Sequence, residues 1–189
     1  FLSLKVCRIQ LGMTRQELKA ATLALFEANR HLLGPDDDFW IVHNISRGLT
    51  KPGPNPAQRN PATVMIFNSP MDLRGWARYY TQGCHAVTSF SRAIPAQSLD
   101  ARVKNRSRLF YTLADQEARL VDPDAQVVIL DVDGYVSENK GGNVFVVTKG
   151  ELRTPSVDNC LAGISRATVI ELARELGLTV HETRLLPYD

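Results

Sequence analysis

The chain has 189 residues, 44% of them hydrophobic and 22% charged, a composition that suits one large globular domain or two small ones. Its 22 basic and 20 acidic residues are interspersed, for a net charge of +2, so no basic stripe points to nucleic acid and no acidic tail to a charged partner. No apolar run is long enough to span a bilayer and no signal-peptide pattern is read in the opening residues, so a soluble protein is expected.

Thr14-Arg-Gln-Glu17 has the form of a capping box. Apolar residues at Leu18, Ala21, Leu25 and Ala28 continue it as an amphipathic helix to about Asn29. Gly34-Pro35 should end that helix, and a strand is expected over Phe39–Ser46. Residues 49–62 carry Pro52, Pro54, Pro56 and Pro61 among polar residues and read as an exposed loop. A second strand is expected over Ala62–Phe67. Residues 71–78 are expected to link a smaller domain, residues 1–70, to a larger one, residues 79–189.

The second half is more regular. Cys84–Phe90 reads as a strand and Arg106–Leu120 as a helix. Gln126–Val132 and the residues from Tyr135 onward flank Asp133-Gly134, a dipeptide that supplies positive φ for a tight hairpin turn. Asn143–Thr148 and Glu151–Thr154 flank Lys149-Gly150 in a second hairpin. Val169, Leu172, Ala173 and Leu176 place a helix over Ser165–Leu176, with Gly177 ending it and a closing strand over Leu178–Leu186. Strands and helices mix without strict βαβ alternation, which points to an α+β fold.

Cys7, Cys84 and Cys160 form no CxxC pair and no metal-ligand spacing with the four histidines. No metal site is expected, and reduced thiols in a cytoplasmic protein fit the pattern. The chemistry lies elsewhere. Lys104 sits at a strand-to-helix junction, where a lysine is ordinarily a solvated surface charge. Its company changes that reading. Glu138 follows 34 residues on (138 − 104), just past a hairpin, and Gly163-Ile-Ser-Arg166 stands at the start of a helix. Backbone N–H groups at a helix N-terminus bind anions, and Ser165 is placed to cap the helix and donate its hydroxyl. A reactive amine, an isolated carboxylate and an anion-binding turn are three parts of a pyridoxal-phosphate site. The amine captures an aldehyde and moves a proton, and burial is expected to favour its neutral form. The carboxylate holds a proton on the pyridine nitrogen, and the turn holds the phosphate.

The stretch from Leu99 to Glu182 resembles the fold-type IV (class IV) pyridoxal-phosphate enzymes, the group that contains branched-chain and D-amino-acid aminotransferases. The likeness is carried by Lys104, Ala114-Asp-Gln-Glu-Ala118, Leu130-Asp-Val-Asp-Gly-Tyr-Val-Ser-Glu138 and Asn143-Val-Phe145. It continues through Gly150-Glu-Leu-Arg-Thr-Pro155, Leu161-Ala-Gly-Ile-Ser-Arg166 and Val169-Ile-Glu-Leu-Ala173, and more weakly back through Ile45-Ser-Arg-Gly48 to Leu11-Gly-Met13. The resemblance implies pyridoxal 5′-phosphate as cofactor, Lys104 as its Schiff-base lysine and Glu138 as partner of the pyridine nitrogen. It implies that Leu161 packs on the ring and that Gly163, Ile164 and Ser165 bind the phosphate, with Ser165 where Thr is more usual. Arg47 resembles a residue that holds the substrate carboxylate, a role that suits a bidentate guanidinium. It reads equally well as a surface arginine at a strand end.

The implied fold is an α+β, two-domain architecture with a small N-terminal α/β domain and a larger, pseudo-barrel-like C-terminal one. The implied reaction is ping-pong transfer of an amino group between an amino acid and a 2-keto acid, in a homodimer. The family's opening strands, with a phosphate-binding arginine, and its closing strands and helices lie outside this chain. A fold incomplete at both ends is therefore expected. Two departures stand out. The tyrosine that branched-chain enzymes place five residues after the lysine is here Leu109, with Tyr111 a candidate substitute, and the arginine expected in the strand before Arg47 is replaced by Ile41 or Val42.

An aminodeoxychorismate lyase shares the lysine, the glutamate and the phosphate turn, and a non-catalytic module retaining the fold is the third reading. The remaining candidates read as structural. His43, His85 and His181 fall in strand-like runs, Asp131 and Asp133 flank a turn, and Trp40, Trp76, Tyr79 and Tyr80 fit packing at a domain junction. Ser107 and Ser137 have no His and Asp at the spacing of a triad.

Overall fold

In the computed structural model, which describes residues 1–48 and 62–189, the Thr14 capping box forms as its residues require. Thr14 Oγ1 accepts the Glu17 N–H at 3.2 Å while Glu17 Oε2 accepts the Thr14 N–H at 2.7 Å. A short helix, α1 (Leu2–Val6), precedes the capped helix, α2 (Arg15–Asn29). The end of α2 falls before Gly34-Pro35, because the chain tightens into a 3₁₀ turn over Arg30–Leu32.

Strands β1 (Phe39–Ser46) and β2 (Thr63–Pro70) pair antiparallel, with Phe39 opposite Pro70 and Ser46 opposite Thr63. The second strand outruns the expected Phe67 because the ladder extends along the whole of β1. The proline-rich loop expected over residues 49–62 lies, up to residue 61, outside the described residues. Helix α2 lies on this ribbon through Phe26, edge-on to Phe39 with centroids 6.4 Å apart, and through Thr22, whose hydroxyl meets His43 Nε2 at 2.8 Å. Residues 71–78 contain a short helix, α3 (Leu73–Ala77), capped by Asp72, and α4 (Tyr79–Gln82) follows it. Trp76 packs edge-on against Trp40 with centroids 6.0 Å apart. All of this belongs to one compact unit, Phe1–Gly83, and the rest of the chain to a second, Cys84–Asp189.

The second unit contains β3 (Ala86–Arg92), α5 (Leu109–Val121), β4 (Gln126–Leu130), β5 (Val136–Asn139) and β6 (Val146–Thr148). It continues through β7 (Glu151–Pro155), α6 (Ile164–Glu175) and β8 (Val180–Thr183). Two three-stranded sheets result, ordered β3-β4-β5 and β6-β7-β8. The pairs β3/β4 and β7/β8 are parallel and are bridged by α5 and α6, so two βαβ crossovers sit inside an otherwise antiparallel, α+β arrangement. Lys149 (φ 52°) and Gly150 (φ 80°) both take positive φ, which joins β6 to β7 by the expected two-residue hairpin.

Three local expectations are corrected. The hairpin at Asp133-Gly134 is not a two-residue turn: β4 stops at Leu130, and only Gly134 has positive φ (89°). The cause is Asp131, whose Oδ1 accepts the N–H groups of Asp133 at 2.9 Å and Tyr135 at 2.8 Å and so widens the loop. Helix α5 begins at Leu109 and not at Arg106, because Asn105 Oδ1 takes the Ser107 N–H at 2.9 Å and holds that stretch in a turn. Ser165 does not cap α6. Gly163 is the N-cap, with extended ψ (144°), which leaves Ser165 inside the first turn.

The core of the second unit explains the crossovers. Ala114 and Ala118 on α5 are fully buried against Val127 and Ile129 of β4, with Val87, Phe110 and Tyr111 around them. Small residues there let the helix lie close on the sheet. Ala118→Leu is expected to lower stability by about 1–3 kcal/mol through overpacking, measured as a drop in the urea midpoint at unchanged slope. A second cluster, Leu130, Val136 and Leu185 with Val144 and Val146, joins the two sheets. No helix among the described residues is long and apolar enough to cross a membrane.

Candidate active site

Lys104 lies in the long connection between β3 and α5, five residues before the helix (109 − 104). The loop around it is tied down. Buried Val103 donates its N–H to Asp100 O at 2.9 Å, and Asn105 Nδ2 reaches Val103 O at 3.3 Å. Asp100 accepts the Arg102 side chain through both carboxylate oxygens, at 2.9 and 2.6 Å, and its carboxyl is held down at about 2 by the Arg102 guanidinium and N–H. Lys104 itself is exposed, so the burial expected to favour its neutral form is not supplied by the described residues.

Glu138 sits in β5, half-buried, and both of its oxygens are occupied. Oε1 accepts the Tyr111 hydroxyl from α5, and Oε2 accepts the Leu161 N–H at 3.1 Å. A carboxylate offers about four lone-pair sites, so these two bonds leave capacity for a further N–H. Tyr111 keeps its proton well above the usual phenol range, first because it is buried and then because of its bond to the Glu138 carboxylate.

Leu161 is held from both sides. Its carbonyl accepts Asn143 Nδ2 and the Gly163 N–H, each at 2.8 Å, so Glu138 and Asn143 together pin the turn that leads into α6. A Cβ on Gly163 would overlap Asn143 Oδ1, so a side chain there would push Asn143 off its bond to Leu161 O. The first bond within the helix runs from the Ala167 N–H to Gly163 O at 3.0 Å. The N–H groups of Ile164, Ser165 and Arg166 therefore lack intrahelical acceptors, no side chain caps them, and no acidic residue stands in the first turn. Such an end attracts an anion. The Arg166 side chain serves the fold instead. Buried, it donates through Nη2 to Pro155 O at 2.8 Å and to Glu182 Oε2 at 2.9 Å, tying α6 to β7 and β8.

The second unit thus joins Glu138, Leu161, Gly163 and the α6 N-terminus in one hydrogen-bonded run. Arg47 stands in the first unit, one residue past β1, where its Nη2 donates to Cys7 O at 2.7 Å. Leu109, in the position where branched-chain enzymes carry tyrosine, is 70% exposed, whereas Tyr111 faces Glu138. Asn143 and the Tyr111–Glu138 bond are the parts that the sequence does not reveal. Asn143 is visible there only as part of a motif block, and nothing local marks its partner, which lies 18 residues away. Of the histidines read as structural, His43 meets Thr22 and His85 meets Asp122, while His181 Nε2 lies 3.2 Å from Glu151 Oε2 without hydrogen-bond geometry. Buried Cys160 has its thiol pushed up to about 11 by desolvation, which suits an inert packing residue.

The arrangement allows a direct test. Gly163→Ala is expected to open the Leu161–Gly163 turn and to weaken phosphate-anchored ligands by at least about tenfold, while the urea midpoint falls by about 1–3 kcal/mol equivalents. Isothermal titration and urea unfolding of the same preparation separate the two effects.

Residues 2–189 match the family described as amino-transferase class IV. A branched-chain-amino-acid aminotransferase of Escherichia coli (strain K12) is 36% identical over 182 residues, covering 95% of this chain and 57% of that protein. Branched-chain-amino-acid aminotransferase-like protein 1 of Arabidopsis thaliana is 38% identical over 175 residues, covering 90% of this chain and 30% of the relative. Among solved structures, the Escherichia coli branched-chain enzyme superposes with a TM-score of 0.84 at 32% identity, over 98% of this chain and 60% of the other. The Thermobaculum terrenum branched-chain aminotransferase, solved in its pyridoxal-phosphate form, gives 0.83 at 29% identity, over 99% of this chain and 59% of the other. The chain spans less than two thirds of the length of each of these relatives. By sequence, and by a fold shared across nearly all of its length, this chain belongs to the class IV aminotransferases.

Proposed function

We propose that this chain carries the cofactor-binding core of a pyridoxal-phosphate-dependent aminotransferase that moves an amino group between an amino acid and a 2-keto acid. The observation that carries the reading is the Glu138–Leu161–Gly163 run, which ties a carboxylate to an uncapped helix N-terminus. The group fits these residues. Glu138 has acceptor capacity left for a ring N–H, and the α6 N-terminus is free of acidic side chains.

When bound, pyridoxal 5′-phosphate supplies an aldehyde that captures amino groups and a ring that draws electrons from the substrate α-carbon. The residues do the rest. Lys104 Nζ would supply the amine that holds the cofactor and the base that moves the α-proton. Glu138 would hold a proton at the ring nitrogen, and the Leu161 side chain would pack on the ring. The Ile164 and Ser165 N–H groups and the Ser165 hydroxyl would hold the phosphate, with the helix dipole adding to the attraction. Family likeness supports Arg47 as the group for the substrate carboxylate, a ping-pong order and a homodimer. The reduced thiol pattern supports the cytoplasm.

Incubation with cofactor should give a visible absorbance, and borohydride should fix a pyridoxyl group to Lys104, located by peptide mass mapping. Amino transfer should then require a 2-keto acid acceptor. Pyruvate release from aminodeoxychorismate without any acceptor would make the protein a lyase, and no fixed cofactor would make it a non-catalytic module.

A further inference from the structure

Building on the cofactor reading above, we infer that Tyr111 is a positioning residue that holds the Glu138 carboxylate in the orientation from which it meets the ring nitrogen. Helix α5 places Arg108, Tyr111 and Asp115 at i, i+3 and i+7, on the side that meets the end of β5. All three make contact there. Tyr111 donates its hydroxyl to Glu138 Oε1, Arg108 donates to Lys140 O, and Lys140 Nζ reaches Asp115 Oδ2 at 2.7 Å. The Arg108 guanidinium also lies 3.8 Å from the centroid of the Tyr111 ring, which clamps the ring in place.

With Tyr111 on one oxygen and the Leu161 N–H on the other, the carboxylate plane cannot turn without breaking a bond. Only one of those donors is a side chain. The Leu161 N–H is backbone and belongs to the phosphate turn, so Tyr111 is the adjustable half of the pair. Removing its hydroxyl leaves Glu138 anchored at one oxygen and free to rotate. The connection also gives α5 a function: the helix that follows the Lys104 loop carries the group that aims Glu138.

The test is a double-mutant cycle on the full chain, read as the dissociation constant for pyridoxal 5′-phosphate rather than as turnover. Tyr111→Phe keeps the ring under Arg108 and removes only the hydroxyl. It is expected to weaken cofactor binding about tenfold when Glu138 is present, the size of a lost bond to a charged group. In a Glu138→Gln background, where there is no carboxylate to aim, the same change is expected to cost less than about twofold. Equal losses in both backgrounds, or no loss in either, would overturn the role, since a merely structural tyrosine acts alike in both. If Tyr111→Phe fails to fold, Arg108→Leu releases the ring clamp and is expected to show the same dependence on Glu138, at about threefold. A wild-type chain that binds no cofactor overturns the cofactor reading and this role together. One that binds normally with an additive cycle overturns this role alone.

Discussion

Lys104→Ala is expected to abolish amino transfer, with a fall of at least about 10²–10⁴, the range attributed to a positioned acid–base group, and to remove borohydride labelling altogether. The fold should survive. Bonds between its neighbours help to shape the surrounding loop, from Val103 to Asp100, from Asn105 to Val103 and from Arg102 to Asp100. The lysine side chain itself is exposed. Urea midpoints for the variant and the parent should therefore agree within about 0.5 kcal/mol equivalents. Labelling that persists at another lysine would move the Schiff-base role away from Lys104 while leaving the cofactor reading intact.

Glu138→Ala should produce the second-largest effect, and one that falls on stability as well as activity. Two donors lose their acceptor at once, the Tyr111 hydroxyl and the Leu161 N–H, in a half-buried setting. Each unsatisfied buried donor costs about 1–3 kcal/mol, so the urea midpoint should fall visibly. The loss of charge at the ring nitrogen should lower turnover by a further factor of about 10²–10³. Glu138→Gln separates the two effects: its carbonyl oxygen still accepts a hydrogen bond, so most of the stability should return while turnover stays low. If the glutamine variant recovered full turnover, the ring-nitrogen role would belong to another residue.

The two substitutions also distinguish two kinds of residue. The role proposed for Lys104 rests on its own amine, on an exposed side chain. Glu138 bears on chemistry and fold alike, because the carboxylate assigned to the ring nitrogen is also the acceptor that closes the turn into α6. Weak phosphate binding and a weakened turn should therefore appear together in Glu138 variants, and again in Gly163→Ala, where the damage begins at the other end of the same run.

The elements readable from the sequence are those specified by neighbouring residues. The Thr14 capping box, the Lys149-Gly150 hairpin and the Gly177 helix stop, with φ of 74°, all form where the local pattern places them, because each depends on backbone geometry within a few residues. Lys104, Glu138 and the Gly163–Arg166 turn are visible for a different reason: their order and spacing match a family whose members share this fold. Where local competition arises, pattern is a poorer guide. Asp131 and Asn105 each draw backbone N–H groups into a loop or turn and so shift the start or end of an element by two or three residues.

The connections among the site residues are decided by tertiary structure alone. Tyr111 reaches Glu138 across 27 residues, Glu138 reaches Leu161 across 23, and Asn143 reaches Leu161 across 18. No residue in those intervals announces the partner. The pairing follows from how α5 packs on β4 through Ala114 and Ala118, and from where β5 then lies. Sequence determined which groups were present and which short segments would turn, cap or coil. Packing decided which of them would meet, because a hydrogen bond between distant side chains forms only after the core has set the distance between their backbones.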